Sequence, residues 1–214
     1  MSATIRLVSS PLRGSRLPRV ILLLVLLSVP QANWANTAQI SELERQRLLA
    51  HLDMTAGWFL DEVSDLSREQ TAFRPAPDSW TILQVVEHLV LVGPIYWDDL
   101  QKALASAPTP GASTNTDAGL LWYGIDRTPT VRESAVPTEV PTGQLKDLRS
   151  GVQSYRKHHD RLVQFVKTTD ADLRSHIVAR QGCDAYQWAL LISTHEQRHI
   201  LQIREIKAHP RFPK

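Results

Sequence analysis

The sequence predicts an all-α four-helix bundle whose longest connection joins its second and third helices. Three observations carry this. Four stretches repeat apolar residues at a spacing near 3.6, no stretch alternates with period two, and Pro and Gly gather where helices should end. Of the 214 residues 43% are hydrophobic and 21% charged, so the chain has the material for one buried core and lacks a disordered composition.

Residues 1–38 read as an export signal ahead of that bundle. Arg6, Arg13, Arg16 and Arg19 precede the run Val20–Val29, and small residues follow at Ala32, Ala35 and Ala38. A ten-residue run rises about 15 Å as a helix, half of a ~30 Å hydrocarbon core, so no permanent membrane span is expected. A mature start between Asn33 and Gln39 is expected, with the protein in the periplasm or outside the cell. An uncleaved signal-anchor and a cytoplasmic protein with a misplaced start codon are the lesser alternatives. The bundle should then occupy residues 39–209.

The first helix, near Ile40–Leu66, places Ile40, Leu43, Leu48, Leu52, Thr55, Phe59, Val63 and Leu66 on one stripe. Ser67 and Gln70 can cap a short turn, and Pro75 and Pro77 forbid regular helix there. The second helix starts near Ser79–Trp80, with Thr81 and Gln84 as a capping box, and runs to about Leu104. Gly93-Pro94 predicts a kink inside it. Residues 105–142 contain Pro108, Pro110, Pro129, Pro137 and Pro141 among Gly, Ser and Thr, and no useful helical run is expected. Such a connection reads as a lid, a covering loop or a mobile segment, in which Leu120-Leu121-Trp122-Tyr123 is too apolar to stay in water. The third helix spans about Gly143–Thr169, with Leu145, Leu148, Val152, Tyr155, Leu162, Phe165 and Val166 as its stripe. The fourth, about Ala185–Ala208, carries Tyr186, Ala189, Leu190, Ile200, Ile203 and Ile206 before Pro210 closes it. Four such stripes must bury one another.

Composition removes several functions. The single Cys183 excludes an internal disulfide framework and a cysteine metal cluster, and its thiol should be buried or unreactive. The formal charge is +2, but the four leader arginines leave 20 basic against 22 acidic groups in the remainder. No cationic excess is left to bind nucleic acid.

One short motif carries metal chemistry: His195-Glu196-Gln197-Arg198-His199. Two histidines four apart leave the same face of a helix about 5–6 Å apart, suited to one ion. As an H-E-x-x-H zinc-protease signature the motif needs a third ligand downstream. Only 15 residues follow His199, and Glu205 stands where the extended protease motif has histidine. The other source is upstream, at His88 in the apolar segment WTILQVVEHL, where the bland alternative is a core histidine bonded to a neighbour. Glu196 lies about 100° round the helix from His195, as the candidate catalytic base or as a supporting or solvated carboxylate. Glu87 is similar, and Gln84, one turn before His88, could orient its ring. His51 is a supporting or interface group. His158 and His159, flanked by Arg156, Lys157, Asp160 and Arg161, read as a solvated face. His176 and His209 fall at helix edges. Trp80, Trp97, Trp122 and Trp188 read as core or pocket wall, with Trp188 lining a cavity.

Taken together, Arg74-Pro75-Ala76-Pro77, Trp80-Thr81-Ile82-Leu83, His88-Leu89, His195-x-x-x-His199 and Gln202-Ile203 resemble the DinB/YfiT-like superfamily of metal-dependent four-helix proteins. The resemblance covers about Leu48 to Ile206. It implies an up-up-down-down bundle, one divalent ion (nickel or zinc) on His88, His195 and His199, and a homodimer. It also implies an enzyme class, a metal-dependent hydrolase or small-thiol transferase acting on a small molecule. Three imidazoles leave a coordination position open, at which a metal can activate water or a thiolate. The long 105–142 segment and the export signal depart from the family pattern. The competing readings are a metal- or ligand-binding bundle without turnover and a stress-associated scaffold.

Overall fold

Each helix begins on a side chain that satisfies N–H groups its first turn leaves free. In the computed structural model, which describes residues 39–128 and 137–214, α1 (Glu42–Val63) starts on a reciprocal Ser41–Glu44 capping box. The same box recurs as Ser67–Gln70 at the short α2 (Arg68–Ala72) and as Thr81–Gln84 at α3 (Ile82–Leu104). Thr116 caps α4 (Asp117–Ile125), Asp147 caps α5 (Leu148–Thr168), and an Asp184–Gln187 box opens α6 (Ala185–Lys207). The expected export signal and its cleavage point lie outside the described residues.

Among the described residues the domain is all-α apart from one small hairpin. The core is built by α1, α3, α4, α5 and α6. α6 packs against α1, α3 and α4, while α5 packs against α3 and α1. From α1, Leu48, Leu52, Phe59 and Val63 turn inward, whereas Leu43, expected in that stripe, is exposed at the start of the helix. α3 continues as helix through Pro94. Trp188 is fully buried and donates its Nε1 hydrogen to the Tyr96 carbonyl at 2.9 Å, so it is core and not cavity wall. No residue from Gly182 to Ile203 is exposed, which makes α6 a surrounded helix. No helix among the described residues is long and apolar enough to cross a membrane.

Two features depart from the sequence expectation. The 105–142 connection holds a helix, α4, where none was expected. Nine residues show too little of a period to announce themselves, and the helix is held by tertiary contact, as short helices must be. Leu120 is buried, and Gly124 lies so close to α6 that an added Cβ would stand 2.7 Å from Gln197 Oε1 and 3.1 Å from Thr194 Cβ. Arg198 reaches out of α6 to donate to the carbonyls of Tyr123 (2.8 Å) and Asp126 at the end of α4. The apolar cluster therefore docks through Leu120, while Leu121 and Trp122 stay exposed. The second departure is an antiparallel hairpin of two residues per strand, β1 (Ile177–Val178) and β2 (Cys183–Asp184), with Gly182 at φ +62 leading into β2. Strands that short carry no alternation to read.

Candidate metal centre

α3 and α6 lie side by side and bring together three histidines that are far apart in sequence. His195 Nε2 stands 3.3 Å from His88 Nε2 and 3.1 Å from His199 Nε2, and ligand nitrogens of all three fall within 4.8 Å of one another. The cluster sits in the interior, with His88 and His199 buried and His195 half-buried.

The outward ring nitrogens decide what the inward ones can do. His88 Nδ1 lies 2.7 Å from the Glu139 carbonyl oxygen, and His199 Nδ1 lies 2.9 Å from Gln202 Oε1. A carbonyl oxygen only accepts, so each Nδ1 carries its hydrogen and each Nε2 turns a lone pair inward. One N–H on His195 Nε2 cannot serve two facing lone pairs well; a cation can serve all three. Metal–nitrogen bonds of 2.0–2.1 Å in a tetrahedral arrangement separate nitrogens by about 3.3–3.4 Å, close to the spacing here. The donor set therefore fits a divalent ion. Burial holds His88 below its usual pKa, pushes His195 down to about 3 with further help from the neighbouring His88, Arg198 and Arg180, and holds His199 well below its ordinary value. All three imidazoles are neutral at pH 7, the form that binds metal.

Aromatic rings wall the cluster. The Trp80 ring centre is 5.0 Å from that of His88 and 6.2 Å from that of His199, nearly parallel to the latter, and Tyr96 lies 5.6 Å from His195.

Glu196 is buried and faces α1 and α5. Its Oε2 accepts from Thr55 Oγ1 at 3.1 Å and from the Tyr155 hydroxyl at 3.2 Å. Ser193 Oγ continues the network to Thr55 (2.9 Å) and to His51 Nδ1 (2.6 Å), which gives His51 a supporting place. Burial pushes the Glu196 carboxyl up to about 8 against the pull of the two hydroxyls. Glu196 and His195 share a cavity of about 40 Å³ with Tyr155, His158 and His159, between α3, α5 and α6. That is room for a water or two.

His158 and His159 are thus not a solvated face. Both are half-buried, the His158 ring rests where a Cβ on Gly93 would come within 2.8 Å of its Cγ, and His159 Nδ1 is buried without a hydrogen-bond partner among the described residues. Their charged neighbours sit on the other side of α5. The spacing of 155, 158, 159 and 162 is a helical stripe that could have shown this. Gln84 does not reach His88; its Oε1 accepts from the Thr81 N–H and from Arg74. Glu87, buried beside His88, accepts N–H groups of Thr142, Gly143 and Gln144 at 2.9–3.1 Å and so pins a loop. His176 bonds the Ala103 carbonyl, and His209 packs on Phe73. Of the groups around the cluster, sequence reasoning missed Tyr96, Gln202 and Glu139 in their roles. Gln202 was visible one turn after His199, whereas Glu139 acts through its main chain and left no signal.

A family model described as the DinB superfamily matches residues 42–203. No curated protein and no solved structure matches the chain.

Proposed function

The chain belongs to the DinB superfamily, and from that premise we propose that it is a metal-dependent hydrolase or small-thiol transferase built on His88, His195 and His199. The observation that carries the reading is the set of three converging Nε2 atoms, two of them turned lone pair inward by acceptors behind the ring. A bound divalent ion, nickel or zinc, would supply Lewis acidity toward water or a thiolate. The protein's own part is positional. The Glu139 carbonyl and Gln202 set two rings, while Trp80 and Tyr96 keep bulk water from them. Glu196 is assigned the acid–base role because it shares a cavity with His195 and is held there by Thr55 and Tyr155. An exported protein is separated from cytoplasmic thiols, which favours hydrolysis of the two reactions; a homodimer is expected from the family resemblance.

The test is metal analysis of purified protein, followed by assays on a nitrophenyl ester and a glutathione conjugate with and without the ion. One ion per chain is expected, lost in each of His88→Ala, His195→Ala and His199→Ala, together with metal-dependent turnover of one substrate class. Bound metal with no turnover of either would make this a binding protein; a metal-free wild type that takes up none would overturn the site.

A further inference from the structure

We propose that Arg180 and Glu139 form a clamp that positions the His88 ring for ligation, an inference resting on the metal-site reading above. The His88 ring is aimed by a backbone carbonyl, that of Glu139, at 2.7 Å. This carbonyl closes a single 3-10 turn, Pro137–Glu139, with no ladder of helix or sheet bonds to fix its position. What fixes it is the Glu139 side chain. Its carboxylate is almost fully buried and takes a charge-assisted hydrogen bond from the Arg180 guanidinium, presented by the turn between β1 and β2. Arg180 is in turn placed by Asp99 of α3 at 3.6 Å and lies 5.3 Å over the Tyr96 ring, the ring that also faces His195.

A buried carboxylate is a poor choice for packing alone, because an apolar residue of similar size gives equal or greater stability. Its position on the far side of a candidate ligand gives it another use. The downstream end of the same loop is held by Glu87, through the N–H groups of residues 142–144. Adjacent residues of α3, Glu87 and His88, therefore grip one loop at two points, and Arg180 supplies the third. Arg180 and Glu139 are positioning residues. They touch no reacting atom, and their effect on the ion passes through the Nδ1–H of His88.

The experiment compares wild type, Arg180→Met, Glu139→Gln and Arg180→Lys as full-length metal-free proteins, each checked for fold by circular dichroism, with two readouts. The first is zinc affinity by competition with a chelator. Removing the clamp should raise the zinc Kd about 10- to 100-fold, the range known for groups behind a ligating histidine, and Arg180→Lys should recover part of it. The second is the imidazole spectrum of ¹⁵N-histidine-labelled protein. The Nδ1–H of His88, identified by its loss in His88→Gln, should be seen in wild type and broadened by solvent exchange in Arg180→Met, while the His199 signals stay in place. A role in general stability would not single out that proton. Should Arg180→Met fail to fold, Glu139→Gln, which keeps size and shape, carries both readouts. Wild-type zinc affinity and an unchanged His88 N–H in the variants overturn the clamp alone; a wild type that binds no zinc overturns the metal site and the clamp with it.

Discussion

Replacing Arg174 by Met should cost about 3 kcal/mol at neutral pH and far less in acid. Arg174 collects the first turns of three helices. It meets Glu44 of α1 at 2.7 Å, Asp117 of α4 at 2.8 Å and the α6 cap Asp184 at 3.0 Å, with its guanidinium 3.9 Å over the Tyr186 ring. The partners are unequal. The Asp117 side chain is 42% exposed and that of Glu44 27%, so water screens both pairs and each contributes at most about 1 kcal/mol. The Asp184 side chain is only 7% exposed. Stripping the partner from a fully buried ion costs about 3–5 kcal/mol, and Arg174, itself part open, brings that down. At roughly 2–4 °C per kcal/mol for a domain of this size, Tm should fall by about 6–12 °C.

The pH dependence follows from the carboxyls. The Arg174 hydrogen bond is the main cause holding Asp117 below its ordinary pKa, and at Glu44 the bonds from Ser41 and Arg174 outweigh the opposing effect of burial. A lowered carboxyl contributes stability present above the unfolded value of about 4 and lost as pH falls through the folded one. Burial keeps Asp184 above its ordinary value even with Arg174 beside it, so removing Arg174 raises it further and lets that group protonate sooner. The deficit of Arg174→Met should thus be complete at pH 7, begin to shrink above about pH 4 as Asp184 of the variant protonates, and shrink further below about pH 4 as the Asp117 and Glu44 pairs are lost in wild type. Urea unfolding of both proteins at pH 7 and pH 3.5 checks this. A loss under 1 kcal/mol at pH 7, or an equal loss at both pH values, would refute the reasoning.

Cys183 is fully buried with its thiol pushed up to about 12, so an aromatic disulfide reagent at pH 8 should label it only after urea is added; prompt labelling of the folded protein contradicts this. Glu196→Gln should keep its metal and lose at least about 100-fold in turnover, and a fully active variant would remove Glu196 from the chemistry. Gly124→Ala should cost about 1–3 kcal/mol by pushing α4 off Thr194, seen as faster proteolysis within residues 105–128. Intact mass of protein recovered from an exporting host should place its first residue between 33 and 39; a mass retaining residues 1–30 counts against export processing.

How far the fold could be read depended on length and on which atoms do the work. Helices of twenty residues or more repeat their stripe several times, so α1, α3, α5 and α6 were legible to within a few residues, and Thr81–Gln84 marked the start of α3. α4 has nine residues and little polar contrast, so its two glycines and the prolines of the connection around it spoke louder than its Leu120. His195 and His199 share a face by helical spacing alone. His88 lies more than 100 residues upstream and joined them only through the order of the other motifs; the structure now places the three together. The charges around His158 and His159 hid a helical stripe, and Glu139 was hidden because its contribution to His88 is a peptide carbonyl, which every residue has.

The surrounding of α6 has a consequence for variation. An ordinary surface helix tolerates substitution on its solvent side and resists it on the other, which leaves a periodic stripe in any scan of replacements. Gly182 to Ile203 has no fully exposed position, and its polar residues answer different neighbours: Gln187 and Arg198 bond to α4 and its flanks, Ser193 to α1, Glu196 to α1 and α5. Tolerance should therefore fail along this helix as an unbroken block, with Gln187 and Arg198 as intolerant as Ile200. A search for function that looked only for the most constrained positions would find the whole helix and could not tell the histidines from their scaffold.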